Sequence, residues 1–142
     1  MNVIHFGSQS EFIAIELPKS FSDEGWAQID VEIAVNCFRG KVRPWVDDGD
    51  FERFTKALRI LYDTLKGEAE FTPREGQFTL KMVGKSGGRI EVSGEAWSQA
   101  TYENKLEFTL DLDQTYLLSP LIELESIMAR NMRKDIQHDS LK

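Results

Sequence analysis

The sequence predicts an α+β domain: an antiparallel sheet of about six to seven strands, with one internal helix and one C-terminal helix packed on one of its faces. Three observations predict it. Between residues 105 and 113, Leu106, Phe108, Leu110 and Leu112 alternate with Lys105, Glu107, Thr109, Asp111 and Asp113. A two-residue period means a strand with one buried and one wet face, as in an antiparallel sheet covered on a single side. Earlier, the period changes. Phe51, Phe54, Leu58, Leu61 and Leu65 recur every three or four residues, the stripe of an amphipathic helix. After the last alternating run, Leu117, Leu118, Leu121, Ile122, Leu124, Ile127 and Met128 form a broad apolar helical face.

Taken in order, residues 3–6 and 11–17 read as short strands, and Pro18 with residues 20–25 breaks the pattern. Residues 26–38 form the longest strand candidate, with Ile29, Val31, Ile33, Val35 and Cys37 inward. Cys37 is expected there as a small buried apolar group. Gly40 and Pro44 mark a turn or an edge, with brief pairing across 42–46. The helix spans 50–66. Asp48 or Asp50 suits its N-terminus and Gly67 its left-handed stop. Residues 68–72 form a strand ended by Pro73. Phe78, Leu80 and Met82 define the next, and Ile90, Val92 and Ala96 the one after, joined by the glycine-rich loop 84–88. With the Leu106 run they make a meander of three or four strands. The last helix covers about Thr115 to Arg130, with Pro120 tolerated near its start and Ser119 as its cap. One domain over 1–133 and a polar, frayed tail over 134–142 follow.

A chain of 142 residues suffices for one domain with its own core. The apolar fraction of 41% and charged fraction of 29% argue against disorder. A net charge of −7 argues against a nucleic-acid binder, which needs a basic face, and suits either a basic protein partner or plain solubility. Cys37 is the only cysteine, so no intramolecular disulfide forms. The only histidines, His5 and His138, stand at the chain ends, which disfavours a thiol–imidazole pair. A reduced thiol, an N-terminus without a signal-peptide pattern and the lack of a membrane-length apolar run predict a cytoplasmic protein with no membrane partner.

The search for chemistry excludes more than it finds. Gly84-Lys85-Ser86 resembles the end of a phosphate-binding loop, but Thr79 stands where that loop needs glycine and a strand follows. Asp47, Asp48 and Asp50 lack the spacing of a calcium loop and read as helix-capping residues. No histidine or cysteine pairing suggests a transition metal, and no cofactor is expected. Trp26, Trp45 and Trp97 suit core or interface packing better than a shared pocket. One constellation remains. Asp30, Glu32, Glu91, Glu95, Glu107 and Asp111 all fall on the polar phases of their strands, and Trp97 shares that side with Glu91 and Glu95. Carboxylates opposed across a sheet repel, and a basic partner relieves that cost. An aromatic among polar groups is a common interface anchor. A solvated outer face enriched in acids by chance is the alternative.

The order of segments also carries a family resemblance. The helix ending at Lys66 and Gly67 is followed by Glu68-Ala69-Glu70-Phe71 and Phe78-Thr79-Leu80-Lys81-Met82. After the glycine turn come Arg89-Ile90-Glu91-Val92-Ser93-Gly94-Glu95 and a last strand running into Asp113-Gln114-Thr115-Tyr116-Leu117. This succession, over about residues 45–130, resembles the WapI-like immunity proteins of bacterial contact-dependent toxin systems. The resemblance implies a small cytoplasmic protein that binds a cognate toxin domain, a basic one on the charge argument, and blocks it without catalysis. It implies no catalytic residues, and it leaves the oligomeric state open. Two other readings remain: a small enzyme working through carboxylates, and a structural or ligand-binding module that self-associates through a strand edge.

Overall fold

The computed structural model describes residues 2–140 apart from 19, 20, 23 and 100–102, with side chains described as far as Arg130. The first half carries β1 (Asn2–Gly7), β2 (Phe12–Leu17), β3 (Trp26–Gln28), β4 (Asp30–Val35), β5 (Phe38–Val42), β6 (Trp45–Asp47) and α1 (Asp48–Thr64). The second carries β7 (Glu68–Phe71), β8 (Phe78–Gly84), β9 (Arg89–Trp97) and β10 (Lys105–Asp113). A short 3-10 turn at Gln114–Tyr116 then leads into α2 (Leu118–Ser140). All strand pairs are antiparallel.

The α+β class and both helices stand as the sequence predicts. The strands, however, divide into two four-stranded sheets, ordered β1-β2-β4-β5 and β10-β9-β8-β7, plus a β3-β6 ribbon, instead of joining in one. The cause lies partly in a kinked hairpin. Residues 26–38 do not form one strand. The Ile29 N–H turns to donate to the Pro44 carbonyl at 3.0 Å, and Pro44 has no N–H to return, so the ladder breaks between the ribbon and the first sheet.

Cys37 is not buried. Val35 pairs with Phe38, which leaves Asn36 and Cys37 as a two-residue turn with an exposed thiol. Asn36 takes a left-handed φ of 53°, which asparagine tolerates well. The alternation ran past the true strand end because a turn can continue a period of two.

The helix ends also differ from expectation in detail. Asp47 caps α1: its carboxylate accepts from the Asp50 N–H at 3.0 Å, while the Asp50 carboxylate accepts from the Asp47 N–H at 2.9 Å. The left-handed stop falls on Leu65 (φ 59°), two residues before Gly67. Asp113 accepts from the Thr115 N–H at 3.0 Å and heads the 3-10 turn, so α2 starts at Leu118 and Ser119 is not its cap. The α2 backbone remains helical past Arg130 to Ser140.

Each helix follows one sheet and lies along the first strand of the other: α1 against β7, and α2 against β1. Phe54 on α1 meets Phe6 of β1 at 6.2 Å and Phe71 of β7 at 5.8 Å between ring centroids, so one helix joins both sheets in a single core. The helices are tied to each other by Arg59, whose guanidinium donates to both Glu125 oxygens at 2.9 and 2.6 Å and to Asp63 at 3.2 Å. These carboxylates hold the Arg59 pKa above its ordinary value, and Arg59 in turn holds Glu125 below its own.

Gly94 lies in β9 between Leu80 and Phe108. A Cβ there would stand 2.5 Å from both the Phe108 ring and the Thr79 carbonyl oxygen. The Phe108 ring therefore fills the space that a side chain would need. Gly94→Ala should destabilise the fold by about 2 kcal/mol, the scale of overpacking, read as a lower melting temperature in thermal unfolding. Thr55 on α1 is buried with no partner for its hydroxyl. Thr55→Val should raise the unfolding free energy by about 1 kcal/mol in urea titration, because a methyl group needs no hydrogen bond.

Candidate partner-binding site

The period of β7 to β10 sends every second side chain away from the core, and the register stacks these residues in rows across the second sheet. Glu70, Lys81, Ser93 and Thr109 form one row. Thr79, Glu95 and Glu107 form a second, and Glu68, Val83, Glu91 and Asp111 a third. Trp97 and Lys105 pair at one end of β9 and β10, and Arg89 and Asp113 at the other. The acids Glu68, Glu70, Glu91, Glu95, Glu107, Asp111 and Asp113 thus outnumber Lys81, Arg89 and Lys105 on one face.

Two lysines hold this face together. Lys105 stands between Glu107 at 2.7 Å and Glu95 at 3.7 Å, with its ammonium 5.1 Å from the centre of the Trp97 ring. The hydrogen bond from Lys105 lowers the Glu107 pKa, and the same bond raises that of Lys105. Lys81 lies 3.2 Å from Glu68 and 4.0 Å from Glu70. Glu91 and Asp111 differ. They face each other directly across β9 and β10, and the lysine near Glu91 is Lys85 in the loop, at 4.0 Å. That is the residual like-charge pair of the sheet.

Two recesses open on or beside this face. One recess of about 730 Å³ includes Thr79, Lys81, Ser93, Glu95, Glu107 and Thr109 in its lining. Another, of about 660 Å³ at the seam with the β1–β2 hairpin, includes Ser8, Glu11, Glu91, Asp111 and the half-exposed Tyr116.

Of the residues singled out from sequence, Glu91, Glu95, Trp97, Glu107 and Asp111 come together on this face. Asp30 and Glu32 do not. They lie on the outer side of the first sheet, where Asp30 pairs with Arg43 at 2.8 Å and Glu32 with Lys41 at 3.3 Å. Strand phase alone does not say which sheet a strand joins, and that separates the two groups. Glu68 and Glu70 also belong to the face, and their alternation with Ala69 and Phe71 is the sequence signal that places them there.

The remaining chemical possibilities narrow accordingly. Among the described residues no cluster of histidine, cysteine or carboxylate side chains is placed to hold a metal ion. Asp47 and Asp50 are engaged in the capping box, and Asp50 also accepts from Arg53 at 2.7 Å. Burial of the Asp50 carboxyl raises its pKa. Gly84-Lys85-Ser86 runs through a 3-10 turn into β9, not into the helix that a phosphate loop requires. Among the described residues no helix is long and apolar enough to cross a membrane.

Residues 4–131 match the Immunity protein WapI-like family. No curated protein matches the chain. Among solved structures, the crystal structure of Trypanosoma bruciei MRP1/MRP2 is similar at a TM-score of 0.52 and 12% identity, over 92% of this chain and 83% of that one. At that identity the likeness is one of fold alone.

The Lys105–Glu107 pair gives a titration prediction. Glu107 is held below its ordinary 4.5, so its contribution to stability is present above that value and is lost as pH falls through the lowered one. Lys105 is held above its ordinary 10.5, so its contribution is present below that value and is lost as pH rises through the raised one. Both side chains are open to solvent, so salt weakens the effect. In Lys105→Met, NMR titration of the Glu107 carboxyl should show its pKa rising toward the ordinary value. An unmoved titration would remove Lys105 as its cause.

Proposed function

Because the chain belongs to the WapI-like immunity protein family, we propose that it neutralises a cognate bacterial toxin domain by binding it one to one, without turnover. The binding surface is the acidic outer face of the second sheet. The observation that carries this surface is the opposed Glu91–Asp111 pair, left with weak internal compensation on the same face as Trp97 and the lysine-braced Glu95 and Glu107. A basic toxin surface supplies the missing counter-charge. An interface of ordinary size covers about 800 Å² of each partner, enough to take up a four-stranded face with its recesses. Negative potential speeds encounter with a basic partner.

Inhibition of this kind works by covering the toxin's working surface. It needs a rigid, complementary face, and neither acid–base groups nor a cofactor. Residues 1–133 act as the single binding domain. The cytoplasm is the proposed place of action, where an exposed free thiol such as Cys37 stays reduced.

Glu91→Lys separates binding from folding. It turns the Glu91–Asp111 repulsion into an attraction, so the melting temperature should hold or rise. Affinity for a cognate toxin domain should fall at least about tenfold by titration calorimetry, and rescue of growth on co-expression should weaken. Glu107→Lys should act in the same direction on affinity. Unchanged affinity in both variants would move the toxin to another surface.

A further inference from the structure

The recess at the seam is shared by the two halves of the chain. β9 and β10 bring Glu91 and Asp111 to it, and the β1–β2 hairpin brings Ser8 and Glu11. Tyr116, in the turn before α2, also lines it and is 43% exposed. Carboxylates from both sheets therefore reach one hollow of about 660 Å³ beside a half-open aromatic ring. Counter-charge is scarce there. Lys85 stands 4.0 Å from Glu91, and among the described residues neither Glu11 nor Asp111 forms an ion pair. On the outer side of the first sheet, by contrast, Arg43 and Lys41 already answer Asp30 and Glu32.

The spacing selects the kind of cation that fits. Among the described residues no three carboxylates are close enough to hold a metal ion, so a compact point charge cannot serve this set together. A guanidinium is planar and extended. Its five N–H donors can fork to two carboxylates at once, and its flat face stacks on an aromatic ring. A lysine ammonium has neither the fork nor the flat face. We propose that the recess seats one arginine side chain of the partner protein, its guanidinium shared by Glu11, Glu91 and Asp111 and stacked on Tyr116. The proposal rests on the second-sheet face being the toxin surface. It extends that surface off the sheet, across the seam and onto the β1–β2 hairpin, so that the partner reads both halves of the domain.

Nα-acetyl-arginine amide is the probe for the free protein. Its NMR titration should shift the Tyr116 ring and the Glu11, Glu91 and Asp111 carboxyl signals, with a Kd on the order of 10 mM. Nα-acetyl-lysine amide should bind at least about threefold more weakly, and Tyr116→Leu should remove that preference. Against a cognate toxin domain, Tyr116→Leu and Glu11→Gln should each lower affinity at least about fivefold with an unchanged melting temperature. Equal binding of the two probes, or shifts confined to other carboxylates, overturns the arginine seat. Toxin affinity that falls with Glu91→Lys but with neither Glu11→Gln nor Tyr116→Leu also overturns it, and leaves the sheet face as the toxin surface. Affinity that none of these variants alters overturns both readings.

Discussion

The whole arrangement depends on one constraint: each sheet has an apolar face that the loops of its own half do not cover. Both halves build a four-stranded antiparallel sheet followed by a helix, the first half adding the β3–β6 ribbon before its helix. The helix of each half lies along the first strand of the other sheet. Neither half can therefore bury its apolar face alone. Phe54 shows the consequence at a single residue, since its ring serves Phe6 and Phe71 at once. The Arg59–Glu125 bridge sits where the two exchanged helices meet and fixes their relative placement more than it adds stability, because both side chains are partly in water. Folding should be cooperative over the whole domain for this reason.

The edge strands differ in what lies against them. α2 lies along β1, and α1 lies along β7. The other two edge strands, β5 and β10, each approach the opposite sheet, with Leu106 of β10 beside Gly40 of β5, and carry charges on their outer side: Arg39 and Lys41 on one, and Lys105, Glu107, Asp111 and Asp113 on the other. Charged edge strands resist pairing with another chain. Self-association by strand addition is therefore disfavoured.

Local physics was legible in the sequence, and the tertiary partition was not. The meander from Glu68 to Asp113 was readable because a period of two survives in β8, β9 and β10 with little interruption. The α1 stripe was readable because five apolar residues keep helical spacing through Leu65. Errors arose where two signals overlap. Cys37 continued an alternation that Asn36 had already ended with a left-handed turn. Asp47, Asp48 and Asp50 are all good caps by type, and only the reciprocal bonds between Asp47 and Asp50 select one. The division into two sheets was hidden because it depends on where α1 and the Pro44 kink send the chain, which no local period encodes. For the same reason Asp30 and Glu32 were grouped with carboxylates that lie on another sheet.

That regrouping sharpens the electrostatic argument. Asp30 and Glu32 each have a β5-side cation within 3.3 Å or less, so they need no partner to offset their charge. Glu95 and Glu107 share Lys105, and Glu68 and Glu70 share Lys81. A fold selected for stability alone would treat Glu91 and Asp111 in the same way, since one threonine or lysine at either position would remove the repulsion. The opposed pair, with only Lys85 near Glu91 at 4.0 Å, instead lines the recess at the Tyr116 seam. Local rules are commonly broken where function demands it and kept elsewhere. Lysines offset Glu68, Glu95 and Glu107 most closely, and the less compensated Glu91–Asp111 pair is the part that would gain most from a partner's cation. Braced and weakly compensated carboxylates on a single face are therefore the features on which the proposed binding of a basic surface rests.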